Sequence, residues 1–564
     1  MKSIKNQNGS SLILVLLVSL VFVVLGLTIL SVTIGGAKRT EIRGEDIKKI
    51  YKATNTMDEV ISKFQHKLYD LNGYVREGNI YGYESELASF IDSLHPIKIK
   101  NISSNYHIDT NKFFTRALSI EVTAAGENGR ERTVSRNLFL SPTPSFLQYT
   151  AGSGPNGLMV MNGGLEINGN VHVNDLILSN KPEFTDNGVE RTATSVFPDI
   201  NGDLFIRGTV NGSERLDISR LRSYFFEEAR PPVIKRETKE FVEVNFNKTY
   251  AQKMNELQGV TLSSHPEDYN DLATISSTIE QLLNSCRDVI LSATDVYPIS
   301  RSNNCPSPLY LIEKDSNYLD INNLSNNRET IVYTDLVQNE DGSFEVNSPD
   351  ETEYAPLYVK NDLVINNSWL VVHGDLEIVA SSNNPIKIVG NILVTGNLII
   401  RGDNSDINSE DDEVIFDSTM YVLGTSHIYS TNISGLDGDK QLVLLSKGDM
   451  VITRINEFRS ISTDIQPLDA YFYTDSSAEL YGVGSLFRIN GGLFANEQLT
   501  INAIRQYNIA NNGSLLHNIL SPFSQRENGS RFVVTFDRDV ILDQLDALPR
   551  VDELQIVLDD IKIE

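Results

Sequence analysis

The chain has 564 residues, of which 40% are hydrophobic and 22% are charged. This composition excludes an intrinsically disordered chain and a membrane protein with many spans. The 48 basic and 75 acidic residues give a formal net charge of −27, which repels phosphate backbones, so we expect no nucleic acid partner. With only two cysteines, the chain cannot be a disulfide-rich scaffold or hold a four-cysteine zinc site.

A short basic leader, residues 1–9, precedes a long apolar segment. No charged residue occurs from Leu12 to Ile34, and a helix of that length rises about 35 Å, enough to cross a hydrocarbon core of about 30 Å. The pattern predicts one transmembrane helix. A cleaved secretory signal is the alternative, although the apolar core of such a signal is ordinarily about 7 to 15 residues long.

The basic residues that flank this segment predict on which side of the membrane the body lies. Five basic residues between positions 38 and 49 outnumber the two that precede the span. By the positive-inside rule alone, the body would therefore lie in the cytoplasm.

The helix is predicted to continue as an amphipathic segment to residue 72. Its apolar stripe has alternating spacings of three and four and consists of Ile47, Ile50, Thr54, Met57, Ile61, Phe64, Leu68 and Leu71. Such a stripe packs either on the protein's own globular part or in a helical bundle with neighbouring subunits. Asn72-Gly73 then supplies a stop signal for the helix.

The leader that ends in Gly9, the long apolar run and the amphipathic continuation together resemble type IV prepilins, especially the PilX-type minor pilins of Gram-positive bacteria. The resemblance implies that prepilin peptidase cuts between Gly9 and Ser10. It also implies that the helix packs with other pilin-like subunits and that the body lies outside the cell. Ser10 and Leu14 stand where most pilins have phenylalanine and glutamate. Leu14 cannot pair with a neighbour's free amine, which disfavours a major, self-stacking pilin.

Residues 73–150 predict a small α/β neck, with a short helix followed by a hairpin. A repeat then begins, in which glycine and an Asn or Asp precede two aliphatic residues spaced two apart. Its copies are Gly169–Val173, Gly202–Ile206, Gly374–Ile378, Gly390–Val394, Gly396–Ile400 and Gly448–Ile452. One such short strand cannot offset its own backbone entropy, so the repeats are expected to stack.

The repeats predict a mainly β body built as a parallel β-helix, or solenoid, over 151–213 and 305–510. A helical insertion is expected over 214–304 and a C-terminal cap over 511–564. An ordinary β-sandwich with Gly-Asn and Gly-Asp hairpins is the alternative interpretation.

Few residues in the sequence are candidates for a disulfide, a metal site or catalysis. Cys286 and Cys305 form a disulfide if the body is exported, or else remain two reduced thiols. The acidic run Glu410, Asp411, Asp412 and Glu413 is a weak calcium candidate, and a solvated loop is the simpler interpretation. His373 is interpreted as a residue at a corner of the repeat rather than a catalytic base. No catalytic motif or cofactor signature is found.

The sequence therefore predicts a non-enzymatic, single-pass membrane protein with an extracellular body. As a pilin-like minor component or assembly factor, it would display a β-solenoid on a type IV pilus-like filament. Its expected partners are the lipid bilayer, other pilin-like subunits and prepilin peptidase. The alternatives are a bactofilin-like polymerising scaffold and a surface β-helix that binds or processes carbohydrate.

Overall fold

The computed structural model divides the chain into two compact units, residues 1–142 with 552–564 and residues 143–551. The residues that it describes are 8–106, 108–111, 113–125, 131–186, 189–213, 218–227, 229–236, 241, 243–246, 249–250, 253, 272–285, 290–292, 309–313, 330–334, 336–339, 343–346, 356–380, 385–403, 412–453, 466–483, 485–505, 529–537, 548–549, 551–559 and 561–563.

The helices are α1 Asn8–Arg76, α2 Ile80–Ser93, α3 Ile218–Leu221 and α4 Leu272–Ser285, with 3-10 turns at Ser103–Tyr106, Ser145–Gln148, Arg222–Tyr224 and Leu436–Gly438. The strands are β1 Lys98–Asn101, β2 Arg116–Ala125, β3 Glu131–Ser141, β4 Ala151–Ser153, β5 Leu158–Gly163, β6 Glu166–Asn168, β7 Val171–Val173, β8 Asp175–Ser179, β9 Glu183–Asp186, β10 Val189–Thr192, β11 Asp199–Asn201, β12 Asp203–Ile206, β13 Val233–Arg236, β14 Ile290–Ser292, β15 Leu309–Glu313, β16 Thr330–Thr334, β17 Leu336–Gln338, β18 Phe344–Val346, β19 Leu357–Val359, β20 Leu363–Val372, β21 Leu376–Ala380, β22 Ile386–Val394, β23 Leu398–Gly402, β24 Glu413–Val422, β25 Ser426–Tyr429, β26 Asn432–Gly435, β27 Leu442–Ser446, β28 Met450–Thr453, β29 Leu468–Thr474, β30 Ser477–Gly482, β31 Phe487–Ala495, β32 Gln498–Ala503, β33 Phe532–Phe536, β34 Gln555–Leu558 and β35 Lys562–Ile563.

The first unit packs the second half of α1 on an antiparallel sheet. Within this sheet the strand order is β1-β2-β3-β34, and β35 also pairs with β3. In the apolar stripe, Met57, Ile61, Phe64 and Leu71 are buried in the core of this unit. Of the two alternatives for the stripe, packing on the protein's own globular part is the one observed, except that Ile47 is 67% exposed.

A fully buried arginine closes the core of the first unit. The Arg116 Nε donates to Glu84 Oε2 at 2.7 Å, and its Nη atoms donate to three backbone carbonyls. Its guanidinium also lies 5.1 Å from the centre of the Tyr83 ring. A buried cation is tolerated when its donors are satisfied in this way.

The C-terminal segment differs from the predicted cap. The sequence predicts one cap over 511–564, whereas the structure divides the described part of this segment between the two units. Strand β33 pairs with β31 in the second unit, but β34 pairs antiparallel with β3 in the first. Ile556 and Leu558 of β34 pack against the core of the first unit there, and Leu554 is part of that core.

The second unit is built on two parallel sheets. Among the described strands, sheet I runs β14-β15-β16-β20-β22-β24-β27-β29-β31-β4-β7-β12-β13, and in addition β26 pairs with β24, β33 with β31, and β6 with both β33 and β11. Sheet II has the order β19-β21-β23-β25-β28-β30-β32-β5-β8. From β20 to β25 and from β27 to β32, successive strands of the chain alternate between the sheets. The prediction of a mainly β body with parallel strands after a long apolar helix is confirmed.

The paired aliphatic residues of the repeat lie inside this unit. Both sheets contribute to one buried core, which includes Ile386, Ile388, Ile392, Val394, Leu398 and Ile400. Each buried aliphatic side chain stabilises the unit by about 1.5–3 kcal/mol. The core therefore grows with every pair of strands that is added.

The glycines of the repeat act mainly through close backbone approach. The N–H of Gly396 donates to the carbonyl of Gly374, Gly424 donates to Gly396, and Gly448 donates to Gly424, each at 2.9 Å. A Cβ on Gly424 would lie 2.5 Å from the carbonyl oxygen of Gly396. We call the stacked residues Gly374, Gly396, Gly424 and Gly448 the glycine ladder. Gly424 precedes threonine rather than Asn or Asp, so it does not belong to the repeat recognised in the sequence.

One Gly-Asn pair of the repeat lies inside a strand and does not turn the chain between the sheets. Gly390 lies within β22, where its φ of 115° bends a strand that continues to Val394. The following pair, Gly396-Asn397, does connect β22 to β23. The Asn397 Oδ1 accepts hydrogen bonds from the backbone N–H and the hydroxyl of Thr425 in the next layer, both at 2.9 Å.

The spatial order of the strands differs from their order along the chain. Strand β4 pairs with β31 and β5 with β32, so the first repeats stack on the last ones rather than on those that follow the insertion. The buried side chains of Asn162 and Asn502 are hydrogen bonded across this junction at 3.1 Å.

The insertion between the repeats returns the chain along the outer face of sheet I. Phe241 stacks on Phe494 of β31, with ring centroids 5.6 Å apart. Phe246 contacts Tyr421 of β24 at 6.2 Å, and Ser276 of α4 is hydrogen bonded to His373, just after β20, at 3.0 Å. Tyr421 of β24, Tyr471 of β29 and Phe494 of β31 are accordingly buried, so these strands of sheet I carry buried side chains on both faces.

Replacing Phe64 with alanine tests the packing of the apolar stripe. Phe64 is fully buried and its ring centroid lies 4.9 Å from that of Phe90. We expect F64A to lower the free energy of unfolding of the first unit by about 3–5 kcal/mol, measured as lost amide protection in hydrogen exchange of α1 and β2. The control Y69A, at a position that is 86% exposed, should leave protection unchanged. Equal effects of the two variants would contradict this packing.

Replacing Gly424 with alanine tests the glycine ladder. The added Cβ would collide with backbone of the adjacent layer, so we expect a loss of about 1–3 kcal/mol in the free energy of unfolding, measured by thermal melting. Gly73→Ala is the control, because no atom lies within 4 Å of a Cβ placed on this helical residue. A melting temperature for G424A equal to that of the wild type would show that the layers are not held this closely.

Candidate membrane anchor and predicted site residues

The first half of α1 is a continuous apolar helix that is not buried against any other described element. Leu12 and Ile34 are 69% and 59% exposed, and the apolar side chains between them are exposed as well. Among the described residues, α1 is the one helix long and apolar enough to cross a membrane. Thr28 and Thr33 donate their hydroxyls to the carbonyls of Val24 and Ile29 at 2.8 Å. The helix thus satisfies its own threonine hydroxyl donors, as a span in lipid requires.

The predicted cleavage site lies at the beginning of this helix. Gly9 and Ser10 both have helical backbone within α1. Cleavage between Gly9 and Ser10 stays a prediction. The pairing of Cys286 and Cys305 also stays a prediction, because both cysteines lie outside the described residues.

The acidic run is only partly described. Glu410 and Asp411 lie outside the described residues, whereas Asp412 is buried and Glu413 accepts a hydrogen bond from the Ser434 hydroxyl. The described part of the chain contains no group of three or more potential metal-ligating side chains. The two described acids lie at the beginning of β24, and they give no support to the calcium hypothesis.

His373 links α4 to the edge of the repeat. The ring is 2% exposed, its Nε2 is 3.0 Å from the Ser276 hydroxyl and its Nδ1 is 3.0 Å from the Thr334 hydroxyl. Because both ring nitrogens are engaged by buried hydroxyls, the imidazole is held as a packing element. This agrees with its interpretation as a structural residue.

Two half-buried carboxylates lie at opposite ends of β29, with Asp469 near its beginning and Asp475 directly after its last residue. Burial raises the pKa of the Asp475 carboxyl, although hydrogen bonds from Tyr473 and Asn496 oppose this shift. Burial likewise raises the pKa of Asp469, and the hydrogen bond from the backbone of Gly435 opposes it. These carboxylates are desolvated by the stacking of the layers, and no sequence motif marks them out.

Beyond the apolar segment, α1 is tied to the neck by a charged pair. Arg132 of β3 donates to Asp46 Oδ2 at 2.9 Å, and Lys49, which is buried, lies 3.6 Å from Asp46 Oδ1. The hydrogen bond from Arg132 lowers the pKa of Asp46. Asp46 therefore remains ionised and anchors the helix at this point.

Comparison with known proteins identifies no family. No family model matches the chain, and no curated protein matches it either. Among solved structures, the chain is similar to the competence-associated pilin ComZ from Thermus thermophilus, with 12% sequence identity, a TM-score of 0.22 and coverage of 80% of this chain and 81% of that one. A TM-score of this size does not establish a common fold. None of these comparisons singles out the PilX-type minor pilins.

The raised pKa of Asp475 predicts a pH dependence of stability. Because its folded-state pKa lies above the unfolded value of about 3.9, its contribution is fully present below that value and is lost as the pH rises through the folded pKa. We expect D475N to gain thermal stability relative to the wild type between pH 4 and pH 7. The exposed acid Asp58 provides the control, and D58N should follow the wild-type profile. A constant difference between D475N and wild type at all pH values would contradict this assignment.

Proposed function

We propose that this protein is a membrane-anchored, pilin-like surface protein. The observation that carries the proposal is α1 itself, one uninterrupted helix from Asn8 to Arg76. Its first half is fully exposed and apolar, whereas its second half is packed on the protein's own sheet. A helix with an exposed apolar half and a half packed on a folded unit is suited to insert into a bilayer or into the helical core of a filament. The folded part of the chain would then lie outside the bilayer or core.

We further infer that the second unit is a β-solenoid displayed by this rod. The alternation of successive strands between sheets I and II supports the inference, because a coiling chain visits each sheet once per turn. The shared core and the glycine ladder at equivalent corners support it as well. The role proposed for the body is that of a minor component or assembly factor of a type IV pilus-like filament, in contact with other pilin-like subunits.

The proposed role is non-enzymatic. Two observations favour it over carbohydrate processing. His373 has both ring nitrogens engaged by hydroxyls, and the described carboxylates Asp469 and Asp475 accept hydrogen bonds within the strand layers. Side chains committed to the fold in this way are poorly placed to transfer protons to a substrate.

The mature amino terminus tests the proposed processing. Expressed in a host that has prepilin peptidase, the chain should begin at Ser10 when analysed by mass spectrometry. Gly9→Val, which blocks access to the cut bond, should retain the leader, and a matched Asn8→Ala variant should still be processed.

The location of the body is tested on the same cells. External protease should degrade epitopes in the second unit of intact cells, while a cytoplasmic marker remains whole. A body that is protected until the cells are lysed would overturn the surface location. Recovery of the wild type in the soluble fraction would overturn the anchor itself.

A further inference from the structure

A cluster of exposed basic residues follows directly after the apolar segment of α1. Lys38, Arg39 and Arg43 are exposed on the continuous helix. At about 1.5 Å per residue, Lys38 and Arg39 lie about 6 and 8 Å beyond Ile34 along the axis, and Arg43 about 14 Å. Helical side chains lean toward the helix N-terminus, so all three point back toward the apolar segment. They therefore reach the polar headgroup layer, which is about 5–8 Å deep on each side of a bilayer.

The fold removes one acidic neighbour from this cluster, so the stretch from Lys38 to Glu45 carries three basic and two acidic residues. Three acidic residues lie between positions 41 and 46. Of these, Asp46 is withdrawn, because Arg132 and Lys49 neutralise it against the neck sheet. In contrast, Lys38, Arg39 and Arg43 form no ion pair with any described residue.

The chemistry of the cluster fits phosphate at a bilayer surface. Arginine presents a planar fork of donors that matches phosphate oxygens, and lysine adds a compact point charge. Basic and acidic residues balance in the first unit, so the net charge of −27 lies entirely in the second unit. An anionic membrane would repel that acidic unit, and the basic cluster is the part of the chain placed to attract the membrane.

We propose that Lys38, Arg39 and Arg43 form a lipid-binding belt for the phosphate groups of anionic phospholipids in the leaflet that faces the body. The proposal rests on the membrane anchor proposed above. It gives a role to basic residues that otherwise oppose an outward-facing body. Each basic residue near an anionic surface contributes about fivefold in affinity, and the effect weakens with salt.

The test uses the full chain in nanodiscs that contain equal amounts of phosphatidylglycerol and phosphatidylcholine. Native mass spectrometry counts which lipids remain bound when the protein is released from the disc. We expect a severalfold enrichment of phosphatidylglycerol for the wild type and a ratio near one for K38Q/R39Q/R43Q. The control K48Q/K52Q/K63Q removes the same charge from the same helix, beginning about 21 Å beyond Ile34, and should retain the enrichment.

The outcomes separate the belt from the anchor. Equal enrichment in the wild type and K38Q/R39Q/R43Q, or an equal loss in the control, overturns the belt. Displacement of phosphatidylglycerol by millimolar inorganic phosphate also overturns it, because the site would then bind the free anion rather than a lipid. Failure of the wild type to enter these nanodiscs overturns the anchor and, with it, the belt. Insertion without lipid preference overturns the belt alone.

Discussion

Burial of paired aliphatic side chains between two parallel sheets is the interaction on which the second unit depends. A single repeat buries only one such pair, which is too little to offset the backbone entropy of ordering its strand. Stability comes when layers lie close enough for backbone hydrogen bonds to form along the whole ladder. The corners set this spacing, because the N–H groups of Gly396, Gly424 and Gly448 each donate to the carbonyl of the glycine in the adjacent layer.

This spacing has consequences for every other part of the unit. Side chains at the corners are drawn out of water, which raises the pKa of Asp475 and recruits hydrogen bonds from Tyr473 and Asn496. The outer face of sheet I carries tyrosine and phenylalanine that need a cover. Phe146, in the 3-10 turn before β4, packs against Tyr471 and Tyr473. The insertion covers other positions, with Phe241, Phe246 and Ser276 placed on successive regions of the sheet. A segment that looks like an independent insertion in the sequence is thereby part of the packing.

The first unit joins an exposed apolar helix to a folded antiparallel sheet. Helix α1 changes its surroundings along its length, from fully exposed apolar side chains to a stripe buried on the neck sheet. Between these regions, Asp46, Arg132 and Lys49 form a charged contact that orients the helix at the edge of the neck. Lys38, Arg39 and Arg43, which precede this contact on α1, remain exposed and do not take part in it.

Local patterns in the sequence determined the apolar helix, the buried stripe, the strand-forming repeats and the residues that face the core. Each of these follows from side chains a few positions apart, at spacings of two, three or four. Only the tertiary structure decided which layers are neighbours, since β4 pairs with β31 and β34 joins the neck. Strands with the same aliphatic pattern have equivalent edges. The pattern of a strand therefore does not determine its partner, which depends on how the complete chain folds. For the same reason, Gly424 became a corner of the ladder although its own sequence departs from the repeat.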